Sequence, residues 1–448
     1  MAERDLSSSP ARELVRRFLI TILLGIVVYR LGVFVPIPGV EFRGLQSLVK
    51  GGASGDSPLG AILAYADMFN GGAIANCSVF GLGIMPYISA SIIMQLLTFS
   101  FPTLKQLQKE GEGGRRKLNQ YTRYATLVIC GAQAAMAAFA IFNFQNQEGV
   151  PIVSAEYSRL RFVLQSTLMI TTGSMVLLWI AEQITKFGIG NGVSIIIMIG
   201  ILSAIPGAFT GFDGELPDYL LIAAVSISII AAIVFMVQAV RKINLEQQRR
   251  IQGNKVYGGA STVLPLKLNQ ANVVPVIFAS PVMYVLAYAA SLPFIQMEPL
   301  FGASTPGYRY AFAGLIIAFT YFYISITFDL NELSNHFKQS GFFVRGIKPG
   351  KKTVDFLAFH LKRITFVGAV FLAAIAILPD LIGESLGGAG ARALMGGTGL
   401  LIVVGVALDV MQKVASHFLA HQYRGLGGEG PGGAGSAVAS GKKAPKRF

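Results

Sequence analysis

The 448-residue chain is 53% hydrophobic and only 13% charged, with a mean hydropathy of +0.58, which excludes an ordinary water-soluble globular domain and points to a membrane protein. Its net charge of +14 is the sign a nucleic-acid binder needs, but basic loops beside anionic lipid account for most of it. The two cysteines, Cys77 and Cys130, lie at or within apolar runs and supply no disulfide framework.

Roughly 20 helical residues cross about 30 Å of hydrocarbon, and ten such runs are predicted: 18–37, 77–99, 123–143, 162–181, 190–208, 219–240, 271–295, 310–328, 364–382 and 393–412. The first follows a short segment, 1–17, that ends in Arg16-Arg17. It exceeds a typical signal-peptide core and lacks a clear cleavage site, so a retained helix is expected. Between Ser57 and Ser100 the only charge is Asp67, and this stretch is too long for one crossing. Asn70-Gly71-Gly72 interrupts it, leaving a short piece, about Leu59 to Phe69, ahead of the second span. Backbone of that kind survives at membrane depth only when buried in protein or facing a water-filled cavity. A re-entrant or lumen-filling element is therefore expected there.

With the N-terminus placed in the cytoplasm, 30 of the Lys and Arg residues fall on inside segments and 6 on outside ones, with Arg30 alone inside a span. Positively charged loops resist translocation, so this alternation predicts ten crossings with both termini cytoplasmic. The halves are 18–210 and 219–412, joined by an external hinge loop at 211–218. A cytoplasmic tail, 413–448, follows; from Gly425 it is too poor in apolar residues to fold.

The second span contains Pro86-Tyr87-Ile88-Ser89-Ala90-Ser91 and the seventh Pro275-Val276-Ile277-Phe278-Ala279-Ser280, both P-x-I-x-A-S. The fifth and tenth open on small and glycine residues, Asn191-Gly192-Val193 and Gly396-Gly397-Thr398, followed by bulky aliphatics. Two five-span repeats are expected. An odd number of spans inverts the second repeat in the membrane, and a functional site belongs where the halves meet.

Ordered motifs then accumulate: Arg30-x-Gly32, Pro36-Ile37-Pro38-Gly39, MFNGGA from Met68, GIMPYISASI from Gly83, KEGEGGRRKLNQYTRY from Lys109, EQITKFGIGNGVSIII from Glu182, LPLKLN from Leu264 and GIKPGKKT from Gly346. On these the sequence closely resembles the SecY family from Arg30 to about Tyr423. The resemblance implies an all-α polytopic channel with ten transmembrane helices in two inverted repeats, and a re-entrant plug helix formed by Leu59, Ile62, Leu63, Tyr65, Ala66, Asp67, Met68 and Phe69. It implies a mid-membrane pore ring of Ile84, Ile88, Val193, Ile197, Ile277 and Ile402. Aliphatic groups suit a neck that must pass any side chain yet hold back ions, because they close by dewetting.

By the same resemblance a lateral gate for apolar segments runs between spans two and seven at Ser91, Gln95, Asn269, Pro275 and Phe278. An interhelical hydrogen bond between Gln95 and Asn269, worth roughly 0.6 to 2 kcal/mol, would hold it shut without locking it. Motor or ribosome docking falls on two basic loops, at Arg249, Arg250, Lys255, Arg345, Lys348, Lys351 and Lys352. Lys348 and Asn254-Lys255 depart from the family's usual arginines, losing the planar bidentate fork. Implied partners are the SecE and SecG subunits, the SecA motor ATPase, the ribosome, unfolded preproteins with signal sequences, and membrane lipids. No small-molecule substrate, cofactor or metal is expected, nor catalysis. The bacterial inner membrane is the expected location.

The alternative is an ion-coupled secondary transporter, which needs ionisable groups near mid-membrane; Arg30 and Asp409 are the candidates. His336, His360, His417 and His421 fall on cytoplasmic segments without a metal-site pattern.

Overall fold

The computed structural model describes residues 10–40, 67, 69–143, 153–154, 157–210, 216–247, 250–252, 255–257, 261–290, 306–385 and 397–428. The plug positions Leu59, Ile62, Leu63, Tyr65, Ala66 and Met68, the docking residue Arg249, most of the hinge loop and residues 429–448 lie outside them.

The first half begins with α1 (Pro10–Ile22), which runs through a π-helical stretch, Leu23–Val28, into α2 (Tyr29–Val33). It continues with α3 (Met85–Ser100), α4 (Pro102–Lys109), α5 (Glu112–Asn143), α6 (Arg159–Phe187) and α7 (Gly192–Thr210). The second half holds α8 (Leu216–Gln238), α9 (Val274–Ala290), α10 (Pro306–Thr327), α11 (Leu330–Gln339), α12 (Lys351–Ser385) and α13 (Gly397–Gly428). Every expected span thus overlaps a helix. Six of the described helices are long and apolar enough to cross a membrane by themselves; α3 and α4 make a further candidate bent by 101°.

Three boundaries differ from the sequence expectation. The second span starts at Met85 rather than near 77, because Asn70 to Ile84 is a chain of turns, with Cys77 at φ 48° and Gly71, Gly72 and Gly83 also at positive φ. Repeated left-handed residues cannot propagate a right-handed helix. Helix α12 begins at Lys351, ahead of the apolar run, so Lys351, Lys352, Lys362 and Arg363 are helical residues rather than loop. Helix α13 continues to Gly428, so residues 413–428 are helical where the tail was expected to begin. Residues 411–413, 415, 416, 418 and 419 are exposed, as in a helix that projects from the bundle.

The halves are built alike. Helix α3 packs on α5, α5 on α6 and α6 on α7; correspondingly α9 packs on α10, α10 on α12 and α12 on α13. Contact between α7 and α13 joins the halves. Proline is the second residue of both α3 and α9, where its fixed φ suits the first turn and its missing N–H costs no helical hydrogen bond. Glycine heads both α7 and α13.

On the flank where basic loops were expected, β1 (Val240–Gln247) pairs antiparallel with β4 (Ser261–Lys267), a hairpin whose far end carries β2 (Arg250–Gln252) against β3 (Lys255–Tyr257). The other edge of β1 pairs with β5 (Phe342–Val344) from the second basic loop, giving the order β4-β1-β5. Ile243, Leu245, Leu266, Phe337, Val344, Leu357 and Ile364 form its core. The two loops are one folded module, which explains lengths that turns alone do not need.

Candidate functional site

The six aliphatic residues expected at the ring gather in one cluster. Ile84, Ile197 and Ile402 are buried at 4%, 8% and 2% exposure, and Ile88, Val193 and Ile277 pack against them. Their register follows from the helix starts. Ile88 is the fourth residue of α3 and Ile277 the fourth of α9, while Ile197 is the sixth of α7 and Ile402 the sixth of α13. Equal offsets from equivalent prolines and glycines bring the two halves' side chains to one level.

A void of about 10 Å³ remains, lined by Phe69, Asn70, Ile84, Ile88, Ile197 and Ile277 among others. That is close to the least space that holds one water molecule. Apart from Asn70, whose Nδ2 is already bonded to the Gly81 carbonyl, its lining side chains are apolar, so it offers a water few polar partners and resists wetting.

Phe69 and Asn70 reach this void through a polar anchor that the sequence reasoning missed. The Tyr29 hydroxyl donates to the Asn70 carbonyl at 2.8 Å, and Asn70 Nδ2 donates to the Gly81 carbonyl at 2.8 Å. Asp67 Oδ1 accepts from the Ile74 and Ala75 amides at 2.7 and 3.0 Å. Arg30 donates to the Gly71 carbonyl at 3.3 Å, and its guanidinium lies 5.4 Å from the Phe34 ring centroid. The one cation expected inside a span is thereby engaged with the Asn-Gly-Gly break; Asp409, the other transporter candidate, is exposed on α13. Close approach makes glycine necessary at Gly71: its φ is +63°, and a Cβ there would meet Ser203 Oγ at 2.5 Å. Tandem glycines after asparagine were the legible signal of a turn; nothing local to Tyr29 announced its partner.

Of the expected gate residues, Pro275 and Asn269 are buried, Ser91 and Phe278 half-buried and Gln95 exposed. The hydrogen bond expected between Gln95 and Asn269 is not formed. Asn269 Nδ2 donates instead to the Asn272 carbonyl at 3.2 Å, and its Oδ1 has no partner among the described residues. Asn272 has a positive φ of 50° in the turn that follows Asn269, and there a local partner displaces a distant one. Phe278 meets Phe319 and Tyr323 edge-on at 6.4 Å each. Among the described residues α3 and α9 are not packed along each other.

The sheet module holds the expected docking cations. Arg250 and Lys255 lie on β2 and β3, Arg345 and Lys348 in the turn after β5, and Lys351 and Lys352 open α12. Arg345 is 83% exposed, its Nε 3.7 Å from Glu246. Beside the module, Asp329 caps α11, accepting from the Asn331 and Glu332 amides at 3.1 and 3.2 Å, and Lys105 of α4 approaches it at 3.3 Å. The Glu332 amide above all, opposed by partial burial and helped by the Lys105 ammonium, holds this carboxyl below the usual carboxylate range.

A family model described as SecY matches residues 78–411, from the turns before α3 into α13. The chain belongs to the SecY family. Curated relatives called "Protein translocase subunit SecY" include that of Thermotoga maritima, 38% identical over 408 residues (90% of this chain, 93% of the relative). That of Vibrio cholerae is 39% identical over 419 residues (90% and 91%), and that of Mycobacterium tuberculosis 37% over 445 (95% and 100%). Among solved structures, "The structure of a protein conducting channel" aligns with a TM-score of 0.60 at 16% identity, covering 96% of this chain and 98% of that one. "Sec61 in the Canine ribosome-channel complex from the endoplasmic reticulum" gives 0.57 at 16% identity over the same shares. The SecY match covers every ring residue and the whole sheet module. A multi-pass helical channel subunit of the SecY type is the outcome.

Proposed function

We infer that this chain is the central pore-forming subunit of a protein translocase, conducting unfolded polypeptide across a membrane and releasing transmembrane segments sideways into lipid. The observation that carries the reading is the gathering of six aliphatic side chains, from α3, its N-cap, α7, α9 and α13, in one cluster, with Ile84, Ile88, Ile197 and Ile277 lining a void of about 10 Å³. A neck of this kind has no hydrogen bonds to break when it widens. Dispersion contacts slide around a threaded chain of any composition and re-form behind it.

Residues 59–69 are proposed as the plug that seals the resting pore from outside, with Tyr29, Asp67 and Asn70 fixing its inner end. The lateral gate is assigned to α3 and α9, around Ser91, Gln95, Asn269, Pro275 and Phe278. In support, among the described residues the two helices are not packed along each other, and each carries an isoleucine of the aliphatic cluster. The cations of the sheet module, Arg249, Arg250, Lys255, Arg345, Lys348, Lys351 and Lys352, are assigned to docking of the ribosome, whose RNA attracts them, or of the SecA motor. SecE and SecG subunits, a bacterial inner-membrane location, ten crossings and cytoplasmic termini complete the assignment. Energy comes from the partners.

Reconstituted channels test the central claim. Deleting 59–69 should open a large nonselective ion conductance at rest, and Ile88→Asn or Ile277→Asn should raise leak and relax signal-sequence discrimination. Unchanged conductance in all three would remove the constriction from these positions, and a loss of solute uptake without conductance would favour a transporter.

A further inference from the structure

Helix α4 leaves α3 at 101° through Phe101, whose backbone is extended, so its axis lies across that of α3. At its far end the chain turns back tightly. Glu110 closes α4, Gly111 takes a φ of +82°, and a Cβ at Gly114 would collide with the Leu107 carbonyl. Helix α4 is thereby packed on both α3 and α5 and belongs to the first half as a rigid arm.

Asp329 belongs to the second half. Its neighbours Phe328 and Leu330 pack with Ala271, Ile324 and Leu361, a cluster that joins the end of α10 to α12 and to the approach to α9. Leu330 and Leu333 of α11 also pack against the core of the sheet module, to which Phe337 contributes. Between the halves, Lys105 Nζ donates to Asp329 Oδ2 at 3.3 Å, while Oδ1 of the same carboxylate accepts the capping hydrogen bonds of α11. The cap fixes the carboxylate in place, so only the lysine has to be ordered for the pair to form.

Where this bridge lies gives it a consequence. Among the described residues α3 and α9 are not packed along each other, so the seam between them lacks the continuous apolar contact that holds other helix pairs together. An ion pair carried by the continuation of α3 on one side and by the cluster beside α9 on the other has to break when the seam parts. Its side chains are 44% and 38% exposed, and a pair so placed shifts an equilibrium by no more than about fivefold. That is enough to discriminate between apolar segments and too little to lock them out.

We propose that Lys105 and Asp329 form a latch across the seam, whose strength sets how apolar a segment must be to part α3 from α9 and leave sideways. The proposal rests on the assignment of the lateral gate to those two helices. Both residues are specificity-determining without lining the constriction.

The full chain with its accompanying subunits is reconstituted in proteoliposomes, and insertion is measured for a series of segments graded in leucine content. K105Q and D329N each remove one charge, and asparagine still caps α11. Both should admit segments with fewer leucines, raising insertion of a marginal segment by up to about fivefold. K105Q/D329N should match either single variant, because the two changes remove one shared interaction. K105R should behave as wild type. R116Q, which breaks the exposed Arg116–Glu112 pair within α5, should change nothing, and salt at about 0.5 M should erase the difference between wild type and K105Q. Spin labels on cysteines introduced at exposed Gln108 and Asn335 read the gap directly, since native Cys77 and Cys130 are buried. Wild type should give a narrow distance distribution that K105Q, D329N and salt each shift outward. An unchanged distance overturns the latch, whatever insertion does, and leaves the gate assignment standing. A widened gap with unchanged insertion overturns the gate assignment and the latch together. Additive single variants, or R116Q acting as strongly, overturn the pairing.

Discussion

The constriction and the sheet module are both buried aliphatic clusters, yet they answer opposite demands. At the neck, Ile84, Ile88, Ile197, Ile277 and Ile402 from both halves meet through side-chain contact alone. In the module, seven residue pairs of β1 and β4 and three of β1 and β5 lie in backbone register. Separating the neck forfeits dispersion, which is soft and re-forms in any arrangement, whereas separating the strands strands N–H and C=O groups whose loss is directional and costly. The difference teaches where motion is cheap. The proposed channel opening then belongs at the neck, and the module should ride through it as a rigid handle.

The strongest way to break this contrast is Leu357→Ala. Leu357 is 1% exposed in the module core, so truncation should cost about 2–5 kcal/mol and appear as faster proteolysis within 240–267 at unchanged resting conductance. A rise in leak would mean that the two regions are coupled and the handle is not independent.

Tyr29→Phe comes next. It removes the hydroxyl that donates to the Asn70 carbonyl, about 0.5–1.5 kcal/mol for one hydrogen bond, and leaves that carbonyl only the longer bond from the Ala73 amide at 3.3 Å. Leak should rise without loss of insertion, because Asn70 borders the void; hydrogen exchange at 69–76 should accelerate. An unchanged exchange rate there would show that the anchor is idle.

Removing the α11 cap by Asp329→Ala should cost about 1 kcal/mol of local stability, read by hydrogen exchange across Leu330–Gln339. Its pH dependence has a definite sign. A carboxyl held below its ordinary value in the folded state contributes fully above about pH 4, the unfolded value, and the contribution fades as pH falls through the folded value. Exchange in α11 should therefore be flat in its cap contribution from neutral pH down to that point and rise below it in wild type, with no such step in Asp329→Ala. The smallest effect belongs to Lys105→Gln. Its partner distance is 3.3 Å but both side chains are 44% and 38% exposed, so at most about 1 kcal/mol is at stake and salt should erase it.

Much of this was legible residue by residue. Apolar runs with at most one charge marked every helix that contributes to the aliphatic cluster, and P-x-I-x-A-S marked the equivalence of Ile88 and Ile277. Less was visible where a partner lies far along the chain. Gln95 and Asn269 look like a pair by position, but the turn at Asn272 offers a nearer carbonyl, and a backbone dihedral is not a property that can be read from residue type alone. The basic loops looked like two separate stretches because strand β5 is only three residues long and gains its meaning from an edge of β1 about a hundred residues earlier.

Hydropathy and charge are properties of a segment and its solvent, so the chain by itself determined that it is a membrane-embedded helical bundle with a repeated half and basic loops. Which aliphatic side chains share one cluster, what holds Asn70, and how β5 reaches the edge of β1 depend on helix rotation and on contacts between distant segments. Those are decided by packing the whole molecule, since only the assembled fold determines which faces remain to be buried against which.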